Sequence, residues 1–216
     1  MNKAHIAYLP AFSYEKVRFS CDPLIKWIIR KATTDKRLVE QDSIEKGQRV
    51  LDLGCGTASL ATLIKKTQPD ADVVGIDGDK KVLEIAEVKT RKQDVRIALF
   101  DAAAFDIPCR DNYFDRIFSN MLFHHLTTKD KIRAAEEMYR ILKPGGELHV
   151  ADFGMPQNAL MVLIARITRK VEGMEDNIQG LFPHIIYAAD FKDIETTTEL
   201  MTIFGTISLL RAKKPR

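Results

Sequence analysis

Cysteine is scarce in this chain, which has only Cys21, Cys55 and Cys109 among its 216 residues. Their number is odd, and their wide spacing fits neither a disulfide framework nor a metal-binding site. We therefore expect no resident metal. Unpaired thiols of this kind suit a reducing compartment, so we expect a cytoplasmic protein.

Long apolar runs and a strong charge excess are also missing. The longest apolar run, residues 159–165, is far shorter than the roughly 20 residues that a membrane span needs. No basic and then apolar leader follows Met1, so we expect no secretory signal. The net charge of +3 is too small to indicate a nucleic-acid partner. Without repeats or linkers, and with 45% apolar residues, the sequence predicts a single domain over residues 1–216.

What the sequence does contain is a strand, a glycine turn and a helix in immediate succession. The stretch Arg49–Leu60 reads RVLDLGCGTASL, an apolar run with β propensity that stops abruptly at Gly54 and Gly56. Glycine permits positive φ and lets a ligand approach the backbone. The helix that follows begins with unpaired N–H groups. The pattern indicates the front edge of a nucleotide-binding βαβ unit.

Two acidic residues narrow the choice of ligand. Asp77 ends the next strand-like run, DVVGID, about 20 positions beyond the glycines, where a ribose diol would be held. The dinucleotide fingerprint requires a third glycine where this chain has Ser59, so that fingerprint is incomplete. Asp52, two positions before the first glycine, would repel a pyrophosphate. A ligand that carries an ammonium or a sulfonium suits it better.

These residues resemble the class I S-adenosylmethionine-dependent methyltransferases, in particular the small-molecule branch that includes the ubiquinone- and menaquinone-biosynthesis enzymes. The turn at residues 144–146 (Pro-Gly-Gly) and the paired histidines His124 and His125 are similar to further landmarks of that family. The resemblance is good over roughly residues 45–155. One departure is Ala58, where the family commonly has another glycine.

The resemblance implies an α/β fold: a Rossmann-like, doubly wound, seven-stranded sheet, mostly parallel, with a C-terminal antiparallel hairpin strand. Two β-rich runs around a glycine near the end of the chain support that hairpin. The predicted parts are an N-terminal arm with helices, a cofactor-binding core, a candidate lid, and a last helix with the hairpin, at residues 1–45, 46–153, 154–175 and 176–216.

The resemblance also implies S-adenosyl-L-methionine as the cofactor, and it assigns binding roles. Asp101 would accept the adenine amino group, and the Ala102 N–H would read a ring nitrogen. Asn120 ends the fourth strand beside the end of the first, in the crevice where doubly wound sheets bind ligands. The full predicted cofactor set is Asp52, Gly54, Cys55, Gly56, Asp77, Gly78, Asp101, Ala102 and Asn120.

The catalytic residues stay open at this point. His124 and His125 follow Asn120, and an imidazole can accept a proton near neutral pH. However, family members with very different substrates carry such histidines, which favours packing or helix capping over catalysis. A sulfonium methyl is already activated, so the protein mainly holds a nucleophile in line and excludes water. A base is needed only for an acceptor that arrives protonated.

We therefore predict methyl transfer to a small acceptor. Residues 155–175, with the N-terminal arm, would form a cover over the acceptor site, whose inner face of Leu160, Met161 and Ile164 favours a hydrophobic acceptor. A basic edge could then contact an anionic membrane surface peripherally. Ordinary core packing of this stretch is the competing interpretation. The basic edge consists of Arg166, Arg169 and Lys170.

Three alternatives compete with this function. A nucleic-acid methyltransferase often has an Asn-Pro-Pro-aromatic signature after the fourth strand, where residues 120–123 of this chain read Asn-Met-Leu-Phe, so we discount it. A non-catalytic cofactor-binding or regulatory protein of the same fold is the second. A nicotinamide-dependent dehydrogenase is the least favoured, because its glycine fingerprint is incomplete here.

Overall fold

The computed structural model describes residues 31–168, 175–202 and 205–216. Within these residues, seven strands form one sheet in the order β3-β2-β1-β4-β5-β7-β6. Strands β1 to β5 run parallel, and β7 is antiparallel to both of its neighbours. The predicted fold class is therefore confirmed. The strands are β1 (Arg49–Leu53), β2 (Asp72–Asp77), β3 (Ala98–Asp101), β4 (Phe114–Asn120), β5 (Leu142–Phe153), β6 (Lys192–Thr202) and β7 (Gly205–Lys213).

Helices cover both faces of this sheet, as parallel strands require. On one face, Leu51 packs in a cluster with Met138 and Ile186. On the other, Val50 packs in a cluster with Ile64. The described helices are α1 (Lys31–Glu40), α2 (Ser59–Thr67), α3 (Lys80–Lys92), a 3₁₀ turn (Phe123–His125), α4 (Thr128–Ile141), α5 (Ala159–Thr168), α6 (Glu175–Ile178) and α7 (Phe182–Ala188).

The order of the strands brings the predicted site residues to one edge. β1 lies between β2 and β4, so the chain leaves the sheet in opposite directions from the two central strands, which creates a crevice at their carboxyl ends. Gly54 follows β1, and Asn120 ends β4. Asp77 and Asp101 are paired in register at the ends of β2 and β3. Four predicted site residues thus end neighbouring strands on the same edge.

Helix α5 differs from the predicted cover in one respect. Met161 is buried, whereas Leu160 is 61% exposed, so these two side chains do not share one inner face. Successive helical residues point about 100° apart, which explains the difference. The side chains of residues 164–168, all of residues 169–174, and residues 1–30 with the N-terminal arm lie outside the described part of the chain. No helix in the described residues is long and apolar enough to cross a membrane.

The short helix α6 is anchored to α4 by polar contacts. The Lys131 side chain is fully buried, and its Nζ lies 3.1 Å from Asp176 Oδ2 and 2.8 Å from Asn177 Oδ1. The Thr128 hydroxyl donates to the same Asp176 carboxylate at 2.8 Å. Since a buried ammonium needs hydrogen-bond acceptors, these contacts fix α6 against the start of α4.

Candidate active site

The turn after β1 requires glycine for two reasons. Gly54 has φ +73° and Gly56 has φ +54°, both in the left-handed region that favours glycine. A Cβ on Gly54 would also lie 2.9 Å from the Cβ of Leu122, which packs over the turn from the segment after β4. The Gly54 N–H donates to the Ile76 carbonyl at 2.8 Å, which ties the turn to the end of β2.

Asp77 is held by this turn, as the spacing of the sequence suggested. Its Oδ2 accepts the Gly56 N–H at 2.8 Å, and its Oδ1 accepts the Asp79 N–H at 3.0 Å. The side chain is half-buried. A half-buried carboxylate beside the turn of a βαβ unit can accept hydrogen bonds from the two hydroxyls of a ribose.

Asp52 lies deeper than a ligand-contacting residue would. It is 1% exposed, and its Oδ2 accepts the Ala61 N–H at 2.9 Å in the first turn of α2. No side chain at the cap position of α2, Ala58, binds the helix end, so a carboxylate from β1 stabilises it instead. Direct contact between Asp52 and a cationic ligand remains a prediction.

The adenine side of the predicted site is more open. Asp101 is exposed, and its carboxylate lies 3.2 Å from Lys80 Nζ. The Ala102 N–H donates to the Asp77 carbonyl at 3.2 Å, so it could read a ring nitrogen only by sharing or breaking that bond. Gly78 is exposed. Cys55 is buried, with its side chain against Gly75 and its Sγ 3.8 Å from the Gly56 carbonyl.

Asn120 has a partner that the sequence did not reveal. Its amide Nδ2 donates to the carboxylate of Asp35, which projects from α1, and both side chains are at most 5% exposed. The Asn120 Oδ1 is buried and accepts no hydrogen bond in the described part of the chain. Asp35 lies 85 positions away in sequence and belongs to no motif, so sequence patterns had no means of identifying it.

The two histidines are organised by a second residue that the sequence analysis missed, Asp152 at the end of β5. The Oδ1 of Asp152 lies 2.9 Å from His124 Nδ1, and its Oδ2 accepts the Phe123 N–H at 2.6 Å. The His125 ring packs against the His124 ring, tilted by 43° and with centroids 3.9 Å apart. The sequence did contain a signal for Asp152, because it is an acidic residue at the carboxyl end of a strand, as Asp77 is on β2.

The pKa values at this point follow from burial and charge. Burial lowers the pKa of His125 to about 4, and the positive charge of His124 contributes to this decrease. Burial alone would raise the pKa of Asp152. The charge and hydrogen bond of His124, with the Phe153 N–H, nevertheless lower the Asp152 pKa below its ordinary value. Asp152 is therefore an ionised carboxylate at neutral pH.

A separate cluster could in principle hold a metal ion, although the sequence predicted none. His149 Nε2 lies 3.5 Å from Asp42 Oδ2 and 3.6 Å from Glu147 Oε2. Arg116 already binds the Asp42 carboxylate, and Lys213 Nζ lies 3.1 Å from Glu147 Oε1. Because both carboxylates already have cationic partners, we interpret the cluster as an ion-pair network.

Comparison with known proteins agrees with this geometry. Residues 50–146 match the family model of a methyltransferase domain. This region, somewhat under half of the chain, is similar to that domain. It contains the glycine turn, Asp77 and both histidines, so the resemblance inferred from the sequence is confirmed for the core of the chain.

Two curated relatives match part of this chain. The demethylmenaquinone methyltransferase of Thermus thermophilus is 34% identical over 126 residues, which cover 58% of this chain and 56% of the relative. That of Staphylococcus carnosus is 35% identical over 112 residues, which cover 51% and 45%. The chain thus spans about half the length of the curated relatives it matches.

A solved structure confirms the fold over a longer stretch. Phosphoethanolamine N-methyltransferase 2 from Haemonchus contortus, in complex with S-adenosyl-L-methionine, superposes with a TM-score of 0.75. The match covers 94% of this chain and 59% of that one, at 17% sequence identity. At this identity the similarity shows the class I methyltransferase fold and no shared substrate.

Proposed function

We propose that this chain is an S-adenosylmethionine-dependent methyltransferase that acts on a small, quinone-like acceptor. The observation that carries the proposal is the carboxylate of Asp77, fixed by the N–H groups of Gly56 and Asp79 beside the glycine turn of a methyltransferase domain. The names of the two curated relatives support an aromatic, quinone-derived acceptor.

Each part of the edge has a task in this function. Asp77 binds the ribose hydroxyls, Asp101 accepts the adenine amino group, and the glycine turn admits the methionine part close to the backbone. When bound, the cofactor would supply a methyl group bonded to a sulfonium sulfur, which leaves as a neutral thioether. The protein then has to hold the acceptor in line with that methyl and exclude water.

We further propose that the acceptor is hydrophobic and that the protein works in the cytoplasm with peripheral membrane contact. Met155, Leu160 and Leu163 are each more than half exposed, next to the carboxyl end of β5. Exposed apolar side chains grouped in this way are typical of surfaces that bind apolar partners. A sedimentation assay with anionic lipid vesicles tests the membrane part, and equal binding by wild type and a Leu160→Ser, Leu163→Ser variant would contradict it.

The central experiment measures binding and transfer separately. Calorimetry with S-adenosylhomocysteine tests the cofactor site in wild type, Asp77→Ala and the gentler Asp77→Asn. Labelled S-adenosylmethionine with reduced short-chain demethylmenaquinone tests the transfer. We expect wild type to bind and to methylate. Binding without transfer to this quinol or to any component of a cell extract would instead favour a non-catalytic, cofactor-binding protein.

A further inference from the structure

The segment that carries the histidines lies directly over the glycine turn. Leu122 packs against Gly54, and the Met121 N–H donates to the Ala151 carbonyl at 2.8 Å. Met121 has φ +61°, an uncommon value for a residue with a side chain. His124 lies two residues after Leu122, and its ring contacts Asp152 and Phe153 at the end of β5.

Asp152 fixes both the position and the tautomer of His124. Besides His124 Nδ1 and the Phe123 N–H, its oxygens accept the Phe153 N–H at 2.7 Å and the His124 N–H at 3.3 Å. An ionised carboxylate only accepts hydrogen bonds, so Nδ1 of His124 must carry the proton of that contact. In the neutral form of the ring, the lone pair is then on Nε2, which has no hydrogen-bond partner in the described part of the chain.

We propose that His124 is the general base of the methyl transfer and that Asp152 is its positioning residue. The inference rests on the proposed function. Nε2 takes the proton of an acceptor hydroxyl, while the acceptor forms its bond to the methyl carbon and the carbon–sulfur bond breaks with its electron pair left on sulfur. The products are the methylated acceptor, S-adenosylhomocysteine and an imidazolium that the Asp152 carboxylate stabilises.

This assignment defines the chemical class of the acceptor. An acceptor that needs a base arrives protonated, so it carries a phenolic or enolic hydroxyl, and the resulting anion attacks through oxygen or through a conjugated carbon. A neutral amine or a thiolate needs no base. With such an acceptor, the buried pair of His124 and Asp152 would have no role in the reaction. A reduced quinone has hydroxyls of the required kind.

The neighbouring charges support His124 over His125 as the base. Burial and the charge of His124 lower the pKa of His125 to about 4, which makes His125 a weak base that stays neutral at pH 7. Beyond Asp152, the charged groups on the packed elements are Lys131 of α4 and its partner Asp176 of α6, which offset each other. His124 is thus the imidazole that has a carboxylate to stabilise its charged form.

The decisive test compares His124→Gln, Asp152→Asn and the matched control His184→Gln, which changes an exposed histidine on α7. The acceptor probe is reduced short-chain demethylmenaquinone. We expect His124→Gln to slow transfer by roughly 100- to 1,000-fold at pH 7, while the Kd of S-adenosylhomocysteine changes less than twofold. The rate of this variant should recover at high pH, where the hydroxyl ionises without help. Asp152→Asn should also slow transfer, and His184→Gln should match wild type.

The outcomes separate the two proposals. Transfer by wild type with an equal rate and pH profile in His124→Gln overturns the base and leaves the methyltransferase function intact. Failure of wild type to methylate anything overturns the function itself. Nitrogen-15 NMR of the histidine rings provides a readout without turnover: we expect the Nδ1–H tautomer for His124 and its loss in Asp152→Asn. A dominant Nε2–H tautomer in wild type would rule out the proposed base.

Discussion

Asp77 and Asp152 lie at the carboxyl ends of two strands of the same sheet, and backbone N–H groups bind both carboxylates. Their surroundings nevertheless give the two carboxylates different roles. Asp77 is half-buried beside the glycine turn and accepts the N–H groups of Gly56 and Asp79, so a ligand can reach its carboxylate. Asp152 is 2% exposed and surrounded by protein donors, so it acts on a ligand only through His124. Burial, rather than position on the strand, decides whether such a carboxylate binds a ligand or orients another side chain.

The largest expected difference between the two carboxylates is in folding stability. Asp152→Ala leaves buried N–H groups and an imidazole without their acceptor, so we expect the free energy of unfolding to fall by about 3–5 kcal/mol. Asp77→Ala removes a carboxylate whose donors can reach water, and about 1 kcal/mol is expected. Urea unfolding of both variants measures the difference. Equal losses would mean that burial does not distinguish the two sites.

Cofactor affinity should show the opposite order. Asp77→Ala should weaken S-adenosylhomocysteine binding by about 1.5–3 kcal/mol, because hydrogen bonds to a charged acceptor are lost. Asp152→Asn should leave this affinity nearly unchanged. Calorimetry on variants that circular dichroism shows to be folded checks both values, and an unchanged Kd for Asp77→Ala would remove the ribose assignment.

Asp101 extends the comparison to an exposed strand end. Its carboxylate is solvent-accessible and already paired with Lys80, so we expect Asp101→Ala to weaken S-adenosylhomocysteine binding by only about 0.5–1.5 kcal/mol. The same substitution should weaken the binding of an analogue without the exocyclic adenine amine less than it weakens the binding of the natural ligand. Identical losses for both ligands would show that Asp101 shapes the loop without contacting adenine.

The turn that holds Asp77 offers a smaller effect of the opposite sign. Ala58 has φ +55°, a left-handed conformation that costs a residue with a Cβ about 1 kcal/mol more than glycine. Ala58→Gly should therefore raise the free energy of unfolding by about 0.5–1 kcal/mol and leave cofactor binding unchanged. Thermal unfolding with calorimetry measures this gain, and a loss of stability would contradict the argument.

The pH dependence of stability tests the burial of a further group beside Asp152, the ring of His125. The pKa of His125 is lowered to about 4, and an unfolded histidine has a pKa of about 6.5. Between these values the unfolded chain binds a proton that the folded chain does not. The contribution of His125 to stability is thus fully present above pH 6.5 and is lost as the pH falls toward 4. Wild type should lose more stability between pH 7.5 and 5 than His125→Gln; a parallel decline in both would disagree with this.

The sequence predicted the site best where its residues lie close together along the chain. Gly54, Gly56 and Asp77 belong to one βαβ unit, so their spacing predicted the turn and the carboxylate beside it. Asp152 pairs with His124 across 28 residues, and Asp35 reaches Asn120 across 85. Such contacts depend on how strands and helices pack, which periodicity does not encode.

The directions of individual backbone and side-chain groups were harder to predict. The sequence assigned the Ala102 N–H to a ligand, which stays a prediction, and in the fold this N–H donates to the carbonyl of Asp77. It also grouped Leu160 with Met161, although one is exposed and the other buried. Both depend on the local path of the chain after a strand ends, where no periodic pattern constrains it.

The anchoring of α6 to α4 has a consequence for protein engineering. A chimaera that joins this core to a foreign acceptor region after Phe153 would divide a polar network, because Thr128 and Lys131 lie before the junction and Asp176 lies after it. Without Asp176, the buried Lys131 ammonium would lose an acceptor, and burying such a group unpaired is costly. A workable exchange must therefore transfer α6 together with the first turn of α4, or replace Lys131 with an apolar residue.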